Sequence, residues 1–73
     1  MNPLIELVKA RRRKLGLTQR ELADRAGVGL RFIRELEQGK ASLRLDKVNQ
    51  VLALFGHRME PQAFRLEAAD EKS

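Results

Sequence analysis

Apolar residues in this 73-residue chain recur three and four positions apart, in four blocks separated by glycine. That is the spacing of a single buried helical face, not the alternation of a half-buried strand. In the first block Leu4, Leu7, Val8 and Leu15 make one stripe, which predicts a helix from Pro3 to about Leu15. Asn2 suits its N-cap, proline suits the first helical position, and Gly16 ends it. The second helix should cover Gln19–Ala26, with Leu22, Ala23 and Ala26 facing inward. Thr18 and Glu21 stand three apart, as a capping box requires. Gly27 then supplies the left-handed residue that stops a helix. The third helix should cover Leu30–Gln38, closed by Gly39, with Val28, Ile33 and Leu36 inward and Leu30, Arg31, Arg34 and Glu35 outward. The fourth runs about Leu45–Phe55, on Leu45, Val48, Val51, Leu52 and Phe55, with Leu43 pinning the loop before it and Gly56 closing it. Leu54 lies off that stripe.

Beyond Gly56 the pattern weakens. His57-Arg58-Met59-Glu60 suits a short extended piece halted by Pro61, and residues 62–73 are polar and alanine-rich. Phe64 and Ala68 could share a helical face, but so short a segment does not hold a helix alone. The tail is expected to be disordered in isolation. The expected architecture is all-α and compact, with four to five helices and a short C-terminal strand at a seam between two copies. Residues 1–56 form the folded domain, and 57–73 a dimerisation piece and tail.

Composition narrows the classes. Seventy-three residues make one domain with a small core. There is no cysteine, hence no disulfide framework and no thiolate metal site. No apolar run is long enough to span a bilayer, and the N-terminus lacks a signal-peptide core. Net charge is +5, and it is unevenly spread: residues 1–44 hold eleven Lys/Arg against five Asp/Glu, and residues 45–73 hold four against five. A positive field over the first half suits a polyanionic partner. His57 is the only histidine, and the only serines, Ser42 and Ser73, have no partner in recognisable relation. Neither a metal site nor catalysis is expected, and no cofactor.

The segment Leu15–Lys40, LGLTQRELADRAGVGLRFIRELEQGK, thus reads as two short helices joined by a tight glycine turn. So short a turn forces a steep crossing, the geometry of a helix-turn-helix. On Thr18-Gln19, Leu22-Ala23, Ala26-Gly27-Val28, Ile33, Leu36-Glu37 and Gly39, the segment resembles the helix-turn-helix of phage repressors and of the Cro/CI-type (XRE) regulators, over roughly residues 4–56. A narrower likeness, on GVGLRFIRELEQGK and RLDKVNQVLALFG, is to HipB-type antitoxins.

The resemblance implies double-stranded operator DNA as partner and the start of the third helix in the major groove. Base-reading positions would be Gly29, Leu30, Arg31, Phe32, Arg34 and Glu35. Arg31 is the strongest, because a guanidinium can bond guanine O6 and N7 together. Leu30 offers only apolar contact, Phe32 is more at home in the core, and Glu35 either accepts from cytosine or orients Arg31. Thr18 and Gln19 at a helix start, with Lys40 and Arg44 after the third helix, would hold phosphate. Arg12 and Glu37 match a buried structural ion pair of phage repressors. Leu54, Phe55, Arg58 and Met59 would form a homodimer seam. The antitoxin likeness further implies a palindromic operator, autoregulation, a kinase-like toxin as second protein partner and a bacterial cytoplasmic location. A stand-alone phage-like repressor and a helix-turn-helix protein adaptor are the competing readings.

Overall fold

The structure, a computed structural model, describes residues 2–63; the expectations for the tail from Phe64 onward lie outside the described residues. Four helices follow one another: α1 Pro3–Lys14, α2 Gln19–Ala26, α3 Leu30–Gln38 and α4 Leu45–Ala53. Helix α2 packs chiefly on α3, α1 lies across α3, and α4 closes over α2. Val8, Leu17, Leu22, Ala23, Ile33, Leu36, Val48, Val51 and Leu52 fill the centre. Leu4, Leu7, Ala26, Val28, Phe32, Leu43 and Phe55 pack around them. Each helix is amphipathic and too short to persist alone, so burial of these faces holds the fold.

The ends of the helices are set by local chemistry. Asn2 accepts from the backbone N–H of Leu4 and Ile5 at 2.9 and 3.4 Å. Around α2 the capping box is complete: Thr18 Oγ1 accepts from Glu21 N–H at 3.0 Å, and Glu21 Oε1 accepts from Thr18 N–H at 2.8 Å. Gly27 at φ +75° and Gly39 at φ +84° end α2 and α3 in the left-handed conformation. The residue after each glycine then donates back into the helix, Val28 N–H to Ala23 O and Lys40 N–H to Glu35 O, both at 3.0 Å. These are Schellman closures, which satisfy carbonyls that the helix leaves open.

Three expectations are corrected. Leu15, assigned to the inner stripe of α1, is 58% exposed, and Leu17 is buried instead. Helix α1 stops at Lys14, beyond the edge of the core, and the turn at Gly16 brings the chain back so that Leu17 enters. Leu45 is on the predicted face of α4 but at its first residue, where no helix covers it, and it too is 58% exposed. Helix α4 ends at Ala53, two residues early; Leu54–Gly56 form a turn from which Phe55 still reaches the core. Residues 57–63 carry no regular secondary structure, so the single chain holds no strand over 57–60. Asn49 Oδ1 accepts from Met59 N–H at 2.8 Å and moors this segment to α4.

Candidate nucleic-acid interface

Helix α3 carries two carboxylates two residues apart that face opposite ways. Glu37 is buried, at 5% exposure. Arg12, projecting from α1, grips it with two parallel bonds: Nε to Oε2 at 2.7 Å and Nη2 to Oε1 at 3.0 Å. The third guanidinium nitrogen, Nη1, donates to Leu17 O at 3.0 Å. Gln19 Nε2 donates to Glu37 Oε1 at 3.1 Å. One buried ion pair therefore ties α1, the turn at Leu17, the start of α2 and the end of α3 together. Burial by itself would push the Glu37 carboxyl up. The bonds from Arg12 and Gln19, with the charges of Arg12 and Lys9, outweigh it and hold the group below its ordinary range. The bond to Glu37 likewise raises Arg12. A fork-to-fork pair with a further hydrogen bond on each partner is the arrangement in which a buried ion pair is tolerated.

The other carboxylate, Glu35, lies on the outer side of α3. Its Oε2 accepts from Arg31 Nε at 3.2 Å and forms an ion pair with Lys40 Nζ at 3.3 Å. The Arg31 contact is the ordinary i,i+4 pair of a helix surface. The Lys40 contact follows from the closure at Gly39, which lays Lys40 back over the last turn and bonds its N–H to Glu35 O. Partial burial pushes Glu35 up, but the bonds and charges of Lys40 and Arg31 prevail and keep it lowered.

Of the base-reading candidates, Arg31 and Arg34 stand clear on the exposed side of this helix. The Arg31 side chain is 91% exposed. Arg34 is exposed as well, and no carboxylate among the described residues lies within 4.0 Å of it. Gly29 is the N-cap, with no side-chain bond closing the first turn of α3. Leu30 is half-buried. Phe32 is half-buried and packs against the core. An open groove beside α3 is lined by Arg31, Glu35, Lys40, Arg44 and Lys47, with Phe32 and Leu43 at its base.

The phosphate candidates are less free than the sequence suggests. Thr18 spends its hydroxyl on the capping box, and Gln19 has turned one amide hydrogen inward to Glu37. Backbone N–H groups at the start of α2 remain the anion-facing feature there. Glu21 is held below its ordinary range, first by its bond from the Thr18 backbone. Lys40 is shared with Glu35, and Arg44 is paired to Asp46, Nη2 to Oδ2 at 2.7 Å. Both Arg44 and Asp46 are well exposed, and such a pair is weak enough for a phosphate to displace. Among the seam candidates, Leu54 and Met59 are exposed at 43% and 44%, Arg58 is exposed and bonded to Glu60, and Phe55 is half-buried. Met59 also borders a shallow groove with Leu4, Ile5, Leu43 and Leu45.

Within the candidate site, two contacts were not foreseen, Gln19 to Glu37 and Lys40 to Glu35. The first depends on how α2 meets α3, which no local pattern states. The second was readable from Gly39, since a left-handed closure always folds the next residue back. A third unforeseen link, Gln50 Nε2 to Ala26 O and Gly27 O at 3.3 and 3.4 Å, fixes the α2–α3 turn from α4.

Two short packed helices joined by a tight turn at left-handed Gly27, the second with an arginine-bearing outer face, define a helix-turn-helix protein. A helix-turn-helix family model matches residues 8–59, and the chain belongs to that family. It is 52% identical over 50 residues to the uncharacterized HTH-type transcriptional regulator y4mF of Sinorhizobium fredii, covering 68% of this chain and 66% of that protein. It is 36% identical over 61 residues to an uncharacterized HTH-type transcriptional regulator of Methanothermobacter thermautotrophicus, covering 84% and 88%. The matched stretch thus spans just under two thirds of the Sinorhizobium protein. Both relatives are named as HTH-type transcriptional regulators. Among the described residues no helix is long and apolar enough to cross a membrane, and no cluster of His, Asp or Glu could hold a metal ion.

Proposed function

We propose that this protein is a sequence-specific DNA-binding transcriptional repressor that acts as a homodimer on a palindromic operator. The observation that carries the reading is α3: its inner face is locked into the core by Ile33, Leu36 and Glu37, while Arg31 and Arg34 stand on the outer face. A helix held this rigidly can present side chains to a major groove in fixed register. Arg31 reads a base, most naturally guanine, and Arg34 reads a neighbour or holds the backbone. The α2 start, Lys40 and Arg44 hold phosphate, with Gln19 contributing the amide hydrogen that Glu37 does not take. One such module makes few contacts, so specific binding calls for two. Exposed Leu54 and Met59 are the apolar positions offered to a second copy.

In its narrower form, the repressor is a HipB-type antitoxin that regulates its own operon and holds a kinase-like toxin in the bacterial cytoplasm. The likeness of GVGLRFIRELEQGK and RLDKVNQVLALFG to those antitoxins supports it. The experiment for the general reading is fluorescence anisotropy on DNA from upstream of the gene against a scrambled duplex of equal length. Preference for the upstream DNA, with protection of an inverted repeat whose half-sites lie about ten base pairs apart, is the expected result. Equal binding to both duplexes contradicts it. Co-purification with the product of an adjacent kinase-like gene tests the narrower form.

A further inference from the structure

From the shared contact on one carboxylate oxygen, we infer that Glu35 is a specificity-determining positioning residue: it restrains Arg31 and Lys40 together and so penalises binding to DNA of the wrong sequence. The inference rests on the DNA-reading function proposed above and adds to it a device that separates right from wrong sequences.

The geometry is the starting point. Glu35 Oε2 takes Arg31 at 3.2 Å and Lys40 at 3.3 Å, from opposite ends of the exposed face. The Glu35 side chain is only 25% exposed, whereas Lys40 is 50% and Arg31 91% exposed. The carboxylate is therefore the fixed member and the two cations are the mobile ones. Its stem is anchored by the helix, and Lys40 is brought to it by the Gly39 closure. The group stays ionised near neutral pH: burial pushes it up, but its cation partners outweigh burial and hold it below the ordinary carboxylate range.

A carboxylate in this place has two effects on a polyanion. It repels phosphate directly, and it occupies cations that would otherwise join any duplex. Random DNA offers phosphates but no guanine edge in register for Arg31, so binding there draws Lys40 away and leaves Glu35 facing negative charge. A correct site offers more. Arg31, tethered through Nε, keeps its two terminal nitrogens for the paired acceptors of a guanine edge. There the Arg31–Glu35 bond is retained, and it fixes the guanidinium plane in advance. Glu35 thus costs affinity on every sequence and returns part of it on the correct one. Arg34, which lacks such a restraint among the described residues, would supply attraction without this selectivity.

The test uses the full chain and two duplexes of about thirty base pairs: the sequence that wild-type protein enriches from a randomised library, and a scrambled version. Glu35→Gln is nearly isosteric and lies on the surface. Its thermal midpoint, followed by circular dichroism, should match wild type. On scrambled DNA it should bind about five- to tenfold tighter, with a salt slope steeper by about one. On the enriched sequence it should gain about twofold or less, so that the ratio of the two affinities falls several-fold. Adding Lys40→Ala should remove most of the gain on scrambled DNA. Glu35→Asp keeps the charge but shortens its reach. It should stay weak on scrambled DNA and lose preference at the guanine.

An unchanged affinity ratio in Glu35→Gln overturns the inference. So does a loss confined to one cytosine position with no tightening on scrambled DNA, which would make Glu35 a base reader itself. A wild-type protein that enriches no sequence overturns the DNA-reading function, and the inference with it.

Discussion

Glu37 and Glu35 sit two residues apart on one helix, each bonded to an arginine, yet they do opposite things. Glu37 is nearly sealed from water, gripped bidentately, and reached by partners 18 and 25 residues away in the chain. Glu35 is partly in solvent and paired only with residues of its own turn and the next. Burial makes the difference. A charge enclosed as Glu37 is cannot lose its partner without leaving an uncompensated ion, so its bonds belong to stability. A charge at the surface exchanges partners at little expense, so the bonds of Glu35 are available to function. Turning a helix by two residues is enough to move a carboxylate from one category to the other, since successive residues lie about 100° apart around the axis.

The largest expected effect falls on the inner side. Ile33 is fully buried behind the outer arginines. Ile33→Ala should destabilise the fold by about 2–5 kcal/mol, read by chemical denaturation, because a small core cannot collapse into the gap. A loss below about 1 kcal/mol would mean that α3 is not locked as described.

Next comes the inner ion pair. Arg12→Ala or Glu37→Ala alone should cost about 2–4 kcal/mol, and the double variant should cost less than the two added together. Additive losses would show that the two groups do not act as one. The corresponding change outside, Glu35→Gln, should move the thermal midpoint little.

Acid should separate stability from the surface in the same way. Glu37, Glu35, Glu21 and Asp46 are all lowered in the folded chain. For a lowered carboxyl, the folded state binds its proton less readily than the unfolded state. The stabilisation is therefore present above the unfolded value, about 4 to 4.5, and is lost as pH falls through the folded one. The melting temperature should be level from pH 7 to about 5 and fall below that. In Glu37→Gln with Arg12→Met the fall should be shallower, because the buried pair no longer titrates. An equally steep fall would place the acid sensitivity on the surface carboxylates.

Much of this frame is legible in the amino-acid sequence. The helix starts and stops follow from caps and glycines, which act within four residues, and α2 and α3 begin and end where that chemistry places them. The core is legible where a stripe runs through the middle of a helix, as at Leu22, Ile33 and Val51. It is not legible at helix ends. Leu15 and Leu45 keep the right phase, but phase says nothing of where the neighbouring helix stops. The candidate site divides similarly. Arg31 with Glu35 is a local spacing, whereas the link of Arg12 to Glu37 came only through family likeness, and that of Gln19 to Glu37 not at all. Which phosphate candidates are already engaged depends on side-chain partners that share no periodicity with them.

The smallest structural change tests the central claim, that the outer side of α3 reads sequence. Arg31→Ala touches no core residue and should leave the melting temperature within a few degrees. Its affinity should be measured on the enriched duplex and on the scrambled one. A loss of about ten- to a hundredfold on the enriched duplex alone, with preference relaxed at a single base pair in each half-site, is the predicted result. An equal loss on both duplexes would reduce Arg31 to a phosphate contact and contradict the account.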